Sequence, residues 1–211
     1  MTGRRWTGAR WLAAGVPVVV VVAAAGAALA AQAAKAPAQK PAAGAAATAA
    51  DASGPVIVVE TAKGVFEMQL YPDDAPKSVE HILRLVNKRF YNGQRIHRVE
   101  PSFVVQWGDP KSRDVSKRAL WGQTAGGGSG TPVGVAEISK KHLHVKGAVG
   151  MAHAGDPAQA DSQIYIVLSD KPQLNGKYAV IGQVTSGMDV VLMLQVEDVV
   201  KKMSVKGAAA K

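Results

Sequence analysis

The chain lacks the side-chain sets that ordinarily break bonds. It has no cysteine, which removes thiol nucleophiles, disulfides and thiolate metal sites together and leaves the redox compartment open. No G-x-S-x-G occurs, and the serine of "VTSGMD" has no histidine at a triad's spacing. The glycine-rich "TAGGGSGTP" lacks the lysine and Ser/Thr of a phosphate-binding P-loop and no helix follows it, so it reads as a mobile surface loop. Histidines offer more, because "HLH" puts His142 and His144 on one face of a strand and His153 could join them in a metal-dependent enzyme. A structural zinc site needs four ligands and a catalytic one three plus an open position, so ligand count argues against any metal here. One further group stands out in "FYNGQRIHRVEPSFVVQWGDP", residues 90 to 110: Arg98, set among aromatic and β-branched neighbours with no carboxylate pair for hydrolytic chemistry. A guanidinium keeps its proton at all physiological pH values and presents a planar fork of donors, which suits it to hold an electron-rich atom.

The elements around that arginine follow from periodicity. "PVIVVET" and "GVFEMQLY" are strand-like runs joined at Ala62-Lys63-Gly64, a hairpin in which Phe66, Met68 and Leu70 alternate with Val65, Glu67 and Gln69, so that one face is expected to be buried. "DDAPKSVEHILRLVNKRF" changes to helical spacing, with Val79, Ile82, Leu83, Leu85 and Val86 on one face, Pro76 near the start, and Ser78, Asp73 and Asp74 as N-terminal caps. Strand candidates come next at "RIHRVE", "SFVVQW", "AVGMAH", "QIYIVLS", "AVIGQVT" and "KKMSVK". A second helix at "SGMDVVLMLQVE" buries Met188, Val191, Leu192 and Leu194. Two helices among about eight short strands point to a mainly β protein, a closed eight-stranded antiparallel barrel whose open ends the helices cap.

Composition divides the chain of 211 residues. A basic start, an uncharged apolar run over 11–31 and small residues in A-x-A spacing at 28–30 and 31–33 make residues 1–33 an N-terminal apolar helix, either a cleaved signal peptide or a retained membrane tether. Both readings export the rest of the chain, to the periplasm or the outer face of the inner membrane. Residues 34–54 form an Ala/Pro-rich flexible linker with too little apolar surface to fold. The domain spans 55–206, and 207–211 is a tail. Of the 25 Lys and Arg, 20 lie beyond residue 53, against 15 of the 16 Asp and Glu, a mild and dispersed excess that predicts no nucleic-acid partner.

"FYNGQRIHRVEPSFVVQWGDP" resembles the signature of the cyclophilins, peptidyl-prolyl cis-trans isomerases, in which F-Y-x-G leads to F-H-R-V and then G-F-x-x-Q-G-G-D-P. "GAVGMAHAGDPAQADSQIYI" is similar to the family's G-x-x-S-M-A-x-A-G and G-S-Q-F-F-I segments, and "LNGKYAVIGQVTSGMDVV" to its L-D-G-x-x-x-V-F-G-x-V-x-x-G-M-x-V-V. These segments run in order through nearly all of 55–206. The resemblance implies an eight-stranded barrel, a cofactor-free isomerase acting on proline-containing segments of unfolded or flexible exported proteins to assist folding, and a monomer. Its rival is a module that binds proline peptides as a chaperone or scaffold with little turnover.

The implied chemistry fits an arginine without acid or base. Rotation about a peptide C–N bond meets a barrier of about 18–20 kcal/mol because the nitrogen lone pair is shared with the carbonyl, and X-Pro bonds isomerise in tens to hundreds of seconds. In the twisted state the prolyl nitrogen regains that lone pair and accepts a hydrogen bond. Carried over by position, the resemblance makes Arg98 the donor, Gln106 its orienting partner and Phe103 part of the catalytic set. Val104, Tyr165 and Leu174 line the proline pocket, Ala152 and His153 pair with substrate backbone, Gln163 helps hold substrate and Tyr178 stands at the rim. Gln173 replaces a tryptophan that contacts cyclosporin, which predicts weak binding of that drug. Trp107 and Asp161 each replace a glycine: Trp107 is expected to crowd the arginine's partner, and Asp161 to tolerate a left-handed backbone. Tyr165 adds a hydroxyl that needs a partner.

Overall fold

The structure is a computed structural model that describes residues 54–123 and 128–208. The signal or tether and most of the linker lie outside the described residues, as do 124–127 of the glycine-rich segment and the end of the tail. The first hairpin is β1 (Val56–Thr61) and β2 (Val65–Leu70), paired so that Val59 faces Phe66. Ile57 and Val59 are buried, as are Phe66, Met68 and Leu70, the face of the alternating second strand that enters the core. Helix α1 (Pro76–Asn87) buries Val79, Ile82, Leu85 and Val86 at the spacing of one helical face. Its expected caps do not form. Ala75 is the N-cap and bonds through no side chain. Instead the carboxylate of Glu137 accepts from the N–H groups of Lys77 (2.9 Å) and Ser78 (2.8 Å), satisfying two donors that no helix can satisfy internally.

Seven further strands and one helix complete the fold: β3 (Gln94–Arg95), β4 (Arg98–Glu100), β5 (Val104–Trp107), β6 (Ala148–Met151), β7 (Ile164–Val167), β8 (Val180–Ser186), α2 (Met188–Met193) and β9 (Val199–Val205). All pairings are antiparallel, in the order β3-β9-β1-β2-β8-β6-β7-β5-β4. The expected closed eight-stranded barrel is therefore corrected to a curled nine-stranded sheet with two helices. The extra strand arises in "RIHRVE", which changes partner midway. Ile96 still exchanges hydrogen bonds with the chain leading into β9 (Ile96 N to Asp198 O, 2.9 Å), while His97 already donates to Gln106 of β5 (3.1 Å). The two end strands of the sheet are thus neighbours in the chain without pairing to each other. Helix α2 is shorter than its pattern suggested, and Leu192, expected inside, is half exposed; Val191 and Leu194 are buried.

Strands β5, β6 and β7 are buried at every position. Their alternate residues enter two separate clusters. Val105, Trp107, Val149, Met151, Ile164 and Ile166 join the main core with β1, β2 and α1. Val104, Ala148, Tyr165 and Val167 form a second cluster with Tyr71 and Val180, against which Phe103, Ala152, Leu174 and Tyr178 pack. A side-chain period of two sends neighbours to opposite faces, so the same strands support a core on one side and a candidate site on the other. Trp107 accordingly does not crowd Gln106: it is fully buried in the main core, edge-on to Phe66 at 6.2 Å between ring centroids.

Candidate active site

The antiparallel register sets Arg98 opposite Gln106, and Gln106 opposite Tyr165. The Arg98 side chain is fixed from two sides. Its Nη1 donates to Gln106 Oε1 (3.2 Å), and its Nε and Nη2 donate to Glu100 Oε1 (2.8 and 2.6 Å). With its oxygen taken, the Gln106 amide turns its NH2 to Gln163 Oε1 at 2.9 Å. The guanidinium carbon also lies 5.6 Å from the Phe103 ring centre, within cation–π range. Phe103 ends the β4–β5 turn, where Ser102 adopts a left-handed φ of 57°, and the Ser102 and Phe103 carbonyls accept from Ser169 Oγ (2.6 Å) and Leu168 N (2.8 Å). A charged fork is thereby held at a defined place with an aromatic ring beneath it.

Around it opens a cavity of about 110 Å³, lined by Arg98, Phe103, Val104, Gln106, Ala152, His153, Tyr165, Leu174 and Tyr178. Nine of the ten residues singled out from sequence meet there. The tenth, Gln163, is 1 % exposed and stands behind Gln106, outside that lining. Ala152 N donates to Gln163 O (2.9 Å), and His153 Nε2 bonds to Lys177 O (3.0 Å) while its ring tilts against Tyr178, 4.4 Å between centroids. The arrangement offers a recess for a small ring, walled by Phe103, Val104, Tyr165, Leu174 and Tyr178, with the Arg98 guanidinium in its lining.

The three histidines weighed as metal ligands take other partners, and His142 and His144 lie in irregular chain rather than on a strand. His142 Nε2 lies 2.7 Å from Asp74 and stacks on Tyr71 at 3.8 Å. His144 bonds Asn175 and Tyr165. Among the described residues no group of three or more His, Asp or Glu is placed to hold a metal ion.

Asp161 plays a part its sequence position did not announce. Its backbone is not left-handed; among the described residues only Arg89, Ser102 and Glu197 are, apart from glycines. Its buried carboxylate accepts from the N–H groups of Gly128 (3.3 Å), Ser129 (3.0 Å) and Gly130 (3.0 Å), from Ser129 Oγ, and from His81 Nε2 (2.9 Å). Arg84 Nη2 donates to His81 Nδ1 at 2.6 Å, which makes Nε2 the protonated nitrogen. Burial alone would raise the Asp161 pKa, but the His81 and Ser129 bonds outweigh it and hold the carboxyl below its ordinary value. Residues 128–130 of the glycine-rich segment are thus tied to this carboxylate. Glu100 is a further member of the site that no motif marks, although two positions from Arg98 on a strand is the spacing that shares a face.

Three comparisons bear on this geometry. The family model described as "Cyclophilin type peptidyl-prolyl cis-trans isomerase/CLD" matches residues 56–208. A Brucella suis protein named "Probable peptidyl-prolyl cis-trans isomerase" is 43 % identical over 143 residues, 68 % of this chain and 72 % of that one. Peptidyl-prolyl cis-trans isomerase B of Bacillus subtilis is 38 % identical over 141 residues, 67 % of this chain and 90 % of its own. The crystal structure of a Cryptosporidium parvum cyclophilin-type isomerase superposes with a TM-score of 0.64 at 22 % identity, covering 74 % of this chain and 99 % of that one. The same protein was also solved in the presence of the dipeptide Ala-Pro, with a TM-score of 0.63 at 22 % identity, covering 72 % of this chain and 99 % of that one.

Proposed function

The chain belongs to the cyclophilin-type peptidyl-prolyl cis-trans isomerases, and on that premise we propose that Arg98 carries its catalysis. The protein catalyses rotation about X-Pro peptide bonds. The observation that supports the arginine's role is its fixed guanidinium at the mouth of an apolar recess, held by Glu100 and Gln106. A prolyl ring seats on Phe103, Val104, Tyr165 and Leu174, and Ala152 and His153 pair with the substrate's backbone beside it. As the C–N bond twists, the prolyl nitrogen loses its resonance with the carbonyl and becomes an acceptor. Arg98 meets that lone pair with a charged donor that the planar ground state cannot use, so the contact favours the transition state selectively. Each 1.36 kcal/mol of such preference is about tenfold in rate. Gln163 acts through Gln106, whose carbonyl it keeps turned toward the arginine.

Substrates are proline-containing segments of unfolded or flexible exported proteins, a reading supported by the signal-like pattern of residues 1–33. With glutamine at position 173, cyclosporin binds weakly. Isomerisation of an Ala-Pro tetrapeptide, followed with a protease that cleaves only the trans form, tests the role of the arginine. The chain accelerates the reaction and Arg98→Ala does so far more weakly; equal rates for the two proteins, or acceleration by neither, refute it. Binding of the peptide with no acceleration would favour the scaffold reading instead.

A further inference from the structure

Tyr165 forms part of the floor of the cavity, and its hydroxyl is carried out of the recess into a buried polar arrangement. His144, 2 % exposed, lies with Nε2 2.8 Å from Tyr165 Oη and Nδ1 3.0 Å from Asn175 Oδ1. The direction of each bond follows from one fixed donor. The His144 backbone N–H also meets that Asn175 atom, at 2.9 Å; a backbone N–H can only donate, so the atom is the amide oxygen. An oxygen there obliges Nδ1 to carry the ring proton, which leaves Nε2 an acceptor and makes the tyrosine hydroxyl the donor. Burial holds the His144 pKa below the ordinary imidazole value, consistent with that neutral tautomer.

The arrangement is built around the hydroxyl. A Cβ at Gly150 would come within 2.4 Å of Tyr165 Oη, so the strand beside the ring is hollowed at that point. Tyr178 stands perpendicular to both rings, 6.0 Å from Tyr165 and 6.5 Å from His144. Asn175 directly follows Leu174, the residue that closes one side of the recess.

We propose that His144 is a positioning residue for proline isomerisation: by accepting the Tyr165 hydroxyl and donating to Asn175, it sets the floor of the proline pocket and ties it to the Leu174 wall. The role rests on the assignment of the proline pocket above. Without an acceptor, the buried hydroxyl must turn toward the recess or find water, and either move disturbs the surface on which the prolyl ring lies.

A double-mutant cycle on the full chain tests this, with kcat and KM for an Ala-Pro tetrapeptide measured by NMR exchange spectroscopy and thermal unfolding recorded alongside. His144→Leu keeps bulk but offers no acceptor. It is expected to lower kcat/KM about fivefold, the worth of one hydrogen bond, chiefly through KM. In the Tyr165→Phe background the same change is expected to cost less than about twofold, because no hydroxyl remains to be held. His144→Gln, which restores an acceptor, recovers most of the loss. Should His144→Leu fail to fold, Asn175→Ala runs through the same cycle. Equal losses in the two backgrounds overturn the proposal, since a purely structural histidine lowers stability without this coupling. A native chain that accelerates nothing refutes the pocket assignment itself and this role with it.

Discussion

The sheet and the stretch between β5 and β6, residues 108–147, are held together by different means. In the sheet, N–H groups meet carbonyls strand by strand, and the side chains are left to pack or to do chemistry. Between β5 and β6 only short 3₁₀ turns occur among the described residues, and side-chain carboxylates join the backbone carbonyls as acceptors. Asp109 receives Lys111 N (2.9 Å) and Gly122 N (2.8 Å), Asp161 receives 128–130, Asp170 receives Lys146 N (2.8 Å), and Glu137 reaches α1. Carbonyl acceptors do not titrate, whereas carboxylates do, so the two regions should respond differently to pH and to single substitutions.

The proposed catalytic side is built on the ladder, and its largest response should be kinetic. Arg98→Ala is expected to lower kcat/KM by about 10²–10³, as for other single donors to a transition state, while the denaturation midpoint stays close to native. Arg98 and Glu100 are both about half exposed, so their ion pair adds little to stability. A large fall in midpoint with Arg98→Ala would show that the ladder depends on that side chain after all.

The irregular stretch should show the reverse. Asp161→Ala leaves three backbone donors, Ser129 and His81 without their acceptor, and breaking such a buried set costs about 3–5 kcal/mol. Denaturant unfolding measures it. The pH dependence has a definite sign: the folded pKa of Asp161 is depressed, so its contribution is whole above the ordinary carboxylate value, about pH 4, and is lost as pH falls through the folded value. Asp161→Asn should lack that acid limb; its persistence would place the titration elsewhere.

These two regions also differ in how far they could be read from sequence. Phe66, Met68 and Leu70 declare their face by alternation, and the positions of Arg98, Gln106 and Tyr165 follow once the strands are placed. Alternation fails for "VVQW" and "IYIV", where burial on both faces hides it, and there only the family pattern separated Val104 and Tyr165 from core. Leu192 was misplaced because a helix of one and a half turns buries fewer residues than its spacing offers. The long contacts carry no periodic signal at all. Glu137 meets Lys77 across 60 positions, Asp161 meets Ser129 across 32, and Tyr165 meets His144 across 21. Acceptors that replace a ladder are chosen by proximity in the folded chain, which a one-dimensional pattern does not encode.

His97 sits where the regions meet, at the corner between β3 and β4, close enough to Gly122 that a Cβ there would lie 2.8 Å from its ring. Burial lowers its pKa from 6.5 to about 4, against the opposing pull of Asp109. As pH falls from 6.5 toward 4, the unfolded chain takes up a proton that the folded chain refuses, so stability declines through that window, by about 3 kcal/mol. His97→Gln should flatten the slope there while leaving the more acidic limb of Asp161 in place. A single unbroken slope in both proteins would merge two transitions that the structure separates.

Leu174 belongs to the loop-built wall of the recess, and on the proposed pocket assignment it meets substrate only through packing. Leu174→Ala is expected to raise KM about tenfold with kcat nearly unchanged, since a lost apolar contact of about 1–3 kcal/mol acts on ground and transition states alike. A fall in kcat instead would mean that this wall, like the arginine, discriminates the twisted bond.

The smallest effect is expected where one carboxylate replaces a local cap. Glu137 holds the first turn of α1 through Lys77 N and Ser78 N, and Asp73, Asp74 and Ser78 supply no side-chain bond to the cap there. Its loss leaves the exposed Lys77 donor to water and the buried Ser78 donor without its acceptor, so Glu137→Ala should cost about 1 kcal/mol, the usual worth of a cap. Isomerase activity should be unchanged, since α1 packs on the main core and contributes nothing to the recess. Hydrogen exchange sharpens the test: Lys77 and Ser78 amides should lose protection while Val105 and Ile166, inside the sheet, keep theirs. If sheet amides lost protection equally, the stretch between β5 and β6 and the sheet would unfold as one unit, and the contrast between their means of support would end at the level of single bonds.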